Sequence, residues 1–413
     1  MSIVDALWVG RLGKIALAAV GVSGSVFGVL IALSQLSTAG TMAFVARYTG
    51  AKDVERARVY LFNGLVVAVV LGIVIAVAGI PLSRSILTLF GSGKEVVAIG
   101  TPYLIALFSI LPIVYMSTVI YTGLQATGDS LSPLIVSFLA NVINIALDPL
   151  FIFGWLGFPK LGVLGAGVAT GIASFSGLIL AVVTASRKRL LTFVVPKIQF
   201  IWSFLKIGFF ALIQGITRPL TGMLMFSVAA VFGVTAQAAF TVGLRIIGIP
   251  FIFLVGLSVA TQSLVGQSLG EGSVSKAEGV VRSSYIAGIL LQFFLSLAIF
   301  LGARWLVSLF SPGQAEVIDV GSRYLRIVAP FLLFVPLSNA WMGAQYGAGY
   351  TIGPAVASVI GNWAVKLPLA LILGIVAKLE TSGIWLAIGI SVVAETAVNG
   401  IFFSTGRWKK VAV

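Results

Sequence analysis

The residues with chemistry to offer are three acids set inside long apolar runs: Asp5, Asp148 and Glu395. A charge at the centre of a bilayer costs about 2.5–3.5 kcal/mol on insertion scales, so such a residue points to a functional task. Asp148 ends the run Asn141-Val142-Ile143-Asn144-Ile145-Ala146-Leu147-Asp148-Pro149. Spacing of four stacks Asn144 and Asp148 on one helix face, with Asn141 beside them. Pro149 lacks an N–H, so it kinks the helix and frees the carbonyl of Ile145. A carboxylate, an amide and a freed carbonyl in an apolar wall can bind and release a proton near neutral pH. The same oxygens can instead hold a dehydrated Na⁺. The plainer alternative is a pair of side chains that hydrogen-bond a neighbouring helix.

Asp5 stands five residues before Gly10, as Asp148 stands six before Gly154. With a rise of about 1.5 Å per residue the two carboxylates lie at similar depth. Glu395 sits in the last apolar run, and three bases in the second half are available to pair with it: Arg218, Arg245 and Lys366. An ion pair is the favoured reading there, with Gln214 as a further polar position of the same half.

These residues must be positioned by membrane helices. Hydrophobic residues make up 59% of the 413 and charged residues 9%, whereas a soluble domain needs about a quarter charged. Apolar runs fall at 14–46, 57–80, 97–123, 131–154, 162–185, 203–231, 235–266, 280–302, 323–345, 352–377 and 382–404, with Met1 to Val9 as the end of another helix. The runs are continuous, which excludes the alternating segments of about ten residues that build a membrane barrel. The stretch from Arg187 to Phe200 is a polar break, dividing the chain into lobes at 1–186 and 202–413 with a linker at 187–201.

Across that linker the sequence repeats. Gly123, Gln125, Pro133, Asn141 and Gly162 recur as Gly343, Gln345, Pro354, Asn362 and Gly383 at a near-constant offset. With an even number of spans per half, both halves share one orientation. The expected architecture is an all-α polytopic membrane protein of two parallel-repeat bundles of six helices, the first helix largely truncated, around a central cleft suited to alternating access.

Composition also excludes. With no cysteine and no histidine, thiolate chemistry, imidazole catalysis and most zinc or haem sites are gone. There is no Walker-type Gly-Lys-Ser/Thr loop, so ATP is not the energy source. The reading is therefore not an enzyme and needs no cofactor beyond a coupling ion, H⁺ or Na⁺. The net charge of +14 belongs to loops and not to nucleic-acid binding. Arg187, Lys188, Arg189, Arg407, Lys409 and Lys410 lie on the richer of two alternating loop sets, which makes that side and the C-terminus cytoplasmic. Expected partners are membrane lipid and a small-molecule substrate, with the chain a monomer in the cell membrane.

Several segments together resemble the multidrug and toxic compound extrusion (MATE) transporters. They are Val4-Asp5 with Val9-Gly10-Arg11-Leu12-Gly13, the loop Gly50-Ala51-Lys52-Asp53, Gly123 to Asp129, Asn141 to Asp148, and Leu161 to Thr170. The resemblance implies cation-coupled export of amphipathic, often cationic compounds by two six-helix lobes around a V-shaped cleft. It also implies an N-lobe site of aspartates and an asparagine that couples H⁺ or Na⁺. By position these are Asp5, Asn144 and Asp148, with Tyr103 and Thr170 as neighbours; for Na⁺ the first three are the metal ligands. The chain departs from the family in the second lobe, where Gln214 occupies a span in which some members carry an acid. It departs again in the short stretch before Asp5. A flippase for lipid-linked saccharides and a non-transporting membrane scaffold are the alternative readings.

Overall fold

In hydrocarbon the backbone must satisfy its own hydrogen bonds, and continuous apolar runs do so as helices. The computed structural model describes residues 8–90, 93–193 and 198–411, and no strand occurs among them. The described residues include ten helices long and apolar enough to cross a membrane, and a bent pair makes an eleventh. The first span is α1 (Lys14–Leu33) continued by α2 (Gln35–Gly50). Next come α3 (Val54–Leu89), the bent pair α4 (Lys94–Ser109) and α5 (Leu111–Ala126), α6 (Leu131–Phe153) and α7 (Val163–Arg187). The second series runs α8 (Ile198–Ala230), α9 (Val234–Gly270), α10 (Val274–Phe310), α11 (Ala315–Val328) and α12 (Val335–Gly347). It closes with α13 (Ile352–Val359), extended to Val376, and α14 (Glu380–Ser404). Each apolar run read from the sequence corresponds to a helix or helix pair, lengthened at its ends by polar turns.

Local chemistry sets the ends and breaks. The Asp53 side chain accepts from the Arg56 amide at 3.0 Å and caps α3. Ser273 accepts from the Lys276 amide at 3.3 Å and caps α10 in the same way. Such a cap satisfies a backbone donor that the first turn leaves over. Between α4 and α5 the chain bends by 44°, where Pro112 follows Leu111. In the second series the corresponding break is a 3₁₀ turn, Ala329–Phe334, with Pro330 inside it and Pro336 just beyond. The span from Ile352 carries two π-helical turns, Ile360–Lys366 and Ile372–Val376. The apolar run at 352–377 gave no sign of these, because hydropathy does not distinguish i→i+4 from i→i+5 pairing.

The chain divides into two compact units. One takes the residues up to Thr41 and Asp53–Gly208; the other takes Met42–Lys52 and the chain from Phe209 onwards. Within the first, Ile120, Leu124, Val136, Leu178, Ala181 and Ala185 form a buried core between α5, α6 and α7. The second unit has an aromatic core, in which the Tyr324 and Trp385 rings lie 4.5 Å apart and Phe240 stacks on Trp385 at 5.7 Å. The last turns of α2 pack into this second unit. A Cβ on Gly50 would fall 1.9 Å from the Gln267 carbonyl oxygen, and one on Gly270 1.8 Å from that of Arg47. Only glycine permits two helix ends to approach so closely.

Trp155, Trp202 and Trp305 are exposed near helix ends, as interfacial anchors are. On the loop before α6, the Asp129 carboxylate accepts from the Ser132 amide at 3.0 Å and pairs with the Lys188 ammonium just after α7. Asp129, and not the adjacent Ser130, is the residue whose side chain bonds the first turn. Burial pushes this carboxyl up, but Lys188 and the Ser132 hydroxyl and amide outweigh burial and hold it at about 2. A carboxyl below its unfolded value of about 3.9 adds stability that is complete above that value and is lost as pH falls through its folded value. The variant Asp129→Asn should therefore melt below the parent at pH 6. In melts read by intrinsic fluorescence, the gap should close between about pH 4 and pH 2.

Candidate polar sites in the two helical units

The first unit gathers part of the predicted cluster. On α6, Asp148 is fully buried and Asn144 is 7% exposed. The Asn144 amide donates to Asp148 Oδ1 at 3.4 Å, one turn along the same face. This long contact is the i,i+4 relation expected from the spacing. The helix passes through Pro149 and ends at Phe153, where Gly154 takes the left-handed conformation.

Beside Asn144 lies a cavity of about 230 Å³ lined by Tyr121, Ser137, Asn141, Asn144, Thr170 and Ser174, among others. Thr170 lies on the same cavity as Asn144, with its hydroxyl donating to the Ala166 carbonyl at 2.8 Å. Asn141 is exposed and lines the same cavity as Asn144, and its amide donates to the Ser137 carbonyl at 2.8 Å. Tyr103 is buried at 1% exposure on α4 and packs against Gly167 of α7, where a Cβ would stand 3.1 Å from its ring.

Asp5 lies outside the described residues. Trp8, three residues later, packs edge-on against Phe153 and Trp155, both at 6.0 Å. Asn144 and Asp148 are the described members of the proposed Na⁺ ligand set. Among the described residues no three His, Cys, Asp or Glu side chains converge on a metal position.

The remaining wall residues went unnoticed in the sequence, although a signal was present. Ser137, Asn141 and Asn144 on α6, and Thr170, Ser174 and Gly177 on α7, each recur at steps of four then three. That is the period of one helix face. Two polar or small stripes on consecutive apolar helices mark the walls of a wet cavity.

The second unit holds a different cluster. Arg218 of α8 pairs with Glu395 of α14 at 2.8 Å. The Asn362 amide donates to the other carboxylate oxygen at 3.4 Å, and the Lys366 ammonium donates to Asn362 Oδ1. Gly361 makes this approach possible, since a Cβ there would meet the Glu395 Cβ at 2.7 Å. Gln214 accepts from the Tyr346 hydroxyl at 3.3 Å and lies against the Met342 sulfur at 3.5 Å. Arg245 does not join. The sequence reading counted it among buried bases, but it is exposed on α9 and makes no ion pair among the described residues. Hydropathy alone does not tell which side of a helix is covered by its neighbours.

Burial makes the first site sensitive to truncation. With Asp148→Ala the Asn144 amide loses its acceptor, and a buried donor left so costs about 1–3 kcal/mol. Asp148→Asn keeps an acceptor and should cost less than half of that. Thermal melts of the purified protein should rank parent, Asp148→Asn and Asp148→Ala in falling order.

Comparison with known proteins agrees in family. The MatE family model matches residues 1–150 and 211–372. The chain is 29% identical over 415 residues to the "Probable multidrug resistance protein NorM" of Thermotoga maritima, covering 99% of this chain and 89% of that one. It is 30% identical over 395 residues to the "Probable multidrug resistance protein YoeA" of Bacillus subtilis, covering 93% and 84%. A crystal structure of MATE in complex with MaL6 superposes with a TM-score of 0.90 at 24% identity, covering 99% of this chain and 92% of that one. With its apolar helices, its polar cavity and these matches together, the chain belongs to the MatE family of multi-pass membrane transporters, not to a family of enzymes.

Proposed function

We propose that the protein is a cation-coupled antiporter that exports amphipathic, drug-like or cationic compounds by alternating access, with H⁺ or Na⁺ as the coupling ion. The observation that carries this reading is the fully buried Asp148, bonded to Asn144, which itself opens onto a polar cavity. A carboxylate in an apolar wall with a wet side is able to take up a cation from one aqueous phase and release it to another. The cation-coupling set is Asp5, Asn144 and Asp148, with Thr170 on the cavity wall and Tyr103 packed behind it. The relatives described as multidrug resistance proteins support the direction and class of transport.

In this reading the lobes 1–186 and 202–413 are parallel repeats of one six-helix bundle around a central cleft, joined by the linker 187–201. The chain sits in the cell membrane as a monomer with its C-terminus in the cytoplasm. The basic cluster Arg407, Lys409 and Lys410 supports that orientation.

The test is transport in proteoliposomes, driven first by a pH gradient alone and then by a sodium gradient alone. One of the two gradients should drive uptake or release of a cationic dye such as ethidium. Asp148→Asn should abolish the gradient-driven part, by about a hundredfold or more, while leaving equilibrium dye binding within about threefold. Export against a gradient by Asp148→Asn would overturn the coupling assignment, and failure of both gradients to drive the parent would favour a scaffold.

A further inference from the structure

The two units carry ionisable groups of opposite sign on comparable helices. In the first, an amide precedes an acid by four residues, Asn144 and Asp148 on α6. In the second, an amide precedes a base by four residues, Asn362 and Lys366, on the span that begins with α13. The repeat relation that aligns Asn141 with Asn362 places these two spans in the same order in their halves. The second helix departs from α-geometry over Ile360–Lys366, a form of local strain that collects at functional sites.

Charge in the second network does not balance. Arg218 and Lys366 supply two positive charges, and Glu395 is the one acid bonded into the network. The Lys366 ammonium has three donors, yet its one hydrogen-bond partner among the described residues is Asn362, and no carboxylate lies within ion-pair distance of it. Arg218 has five donors, and the Glu395 oxygen at 2.8 Å takes one of them. The Arg218 side chain is 35% exposed while that of Glu395 is 11% exposed, and the guanidinium carbon lies 6.0 Å from the Phe251 ring centre. A surplus positive charge inside an apolar span is costly unless an anion joins it. The Glu395 carboxylate already shows how a carboxylate is held there: one oxygen on Arg218, the other on the Asn362 amide.

We infer that the network of Arg218, Asn362, Lys366 and Glu395 is a binding site for an anionic group, a carboxylate carried by an amphipathic substrate. Arg218 contacts the carboxylate through donors that Glu395 leaves over, and the Lys366 charge makes the surplus that attracts it. Glu395 is the internal competitor for the same donors. The inference rests on the transport reading for its biological meaning, and within the amphipathic, drug-like compounds of that reading it adds those that bear an acid group to the cationic ones.

Two pyrene probes that differ in head group test it: 1-pyrenebutyrate and the matching pyrenebutyl-trimethylammonium ion. Binding is measured by fluorescence anisotropy on the purified full chain in detergent, with no gradient present. Lys366→Met and Arg218→Met should each weaken pyrenebutyrate by about tenfold and leave the ammonium probe within about twofold, and Lys366→Arg should restore binding. Glu395→Gln should tighten pyrenebutyrate by about threefold, because a competitor is removed. A purely structural network would instead lose affinity for both probes in every variant, and that result overturns the inference, as does unchanged pyrenebutyrate binding in Lys366→Met. If Glu395→Gln does not fold, Lys366→Arg against Lys366→Met decides alone. Gradient-driven transport of the ammonium probe without pyrenebutyrate binding would sink this inference and leave the antiporter reading standing. Pyrenebutyrate binding without any gradient-driven transport would do the reverse.

Discussion

A bilayer provides no water to a buried amide, hydroxyl or charge, and the organisation of this protein depends on that fact. Every backbone polar group must be satisfied within its own helix, so the apolar runs become helices and nothing else. Every polar side chain within those helices must then find a partner or open onto a wet cavity. The many Ser and Thr hydroxyls that donate to the carbonyl four residues back, as in Thr118, Thr170 and Thr217, follow from the same constraint. Thr118 and Thr170 do this while also lining the cavity of the first unit.

The same constraint explains why the two units solve their charge problems differently. Asp148 in the first accepts from an amide one turn back on its own helix. In the second, Glu395 is clasped from α8 and from the π-helical turn at once. Breaking such a pair leaves a charge without compensation, which is why partly buried ion pairs are costly to disrupt even where they add little net stability. Gly361 and the π-turn are the geometric conditions for that clasp, one by removing a Cβ and the other by turning Asn362 and Lys366 toward α14.

Outside the apolar spans, ordinary water-exposed chemistry sets the connections. Asp53 and Ser273 start long helices by capping, and Asp129 both caps α6 and ties it to Lys188 after α7. Breaks within spans occur at prolines, at Pro112 in one series and around Pro330 and Pro336 in the other. Glycine at positions 50 and 270 lets the α2 and α9 ends meet backbone to backbone.

Sequence by itself determined the membrane class, the place of the helices and the spacing of Asn144 and Asp148. Each of these is local: hydropathy over about twenty residues, or two residues one turn apart. Family membership was also legible, because ordered motifs over the whole chain are a property of the sequence. Tertiary structure alone decided which base meets Glu395. Arg218, Arg245 and Lys366 are equivalent in composition, and only the packing of α8, α9 and α14 brings the first to 2.8 Å and leaves the second exposed. It also put Asn141 and Asn144 on one cavity with Thr170 of α7 and packed Tyr103 against Gly167. These outcomes depend on contacts between helices far apart in the chain, and no periodicity within one helix carries that information.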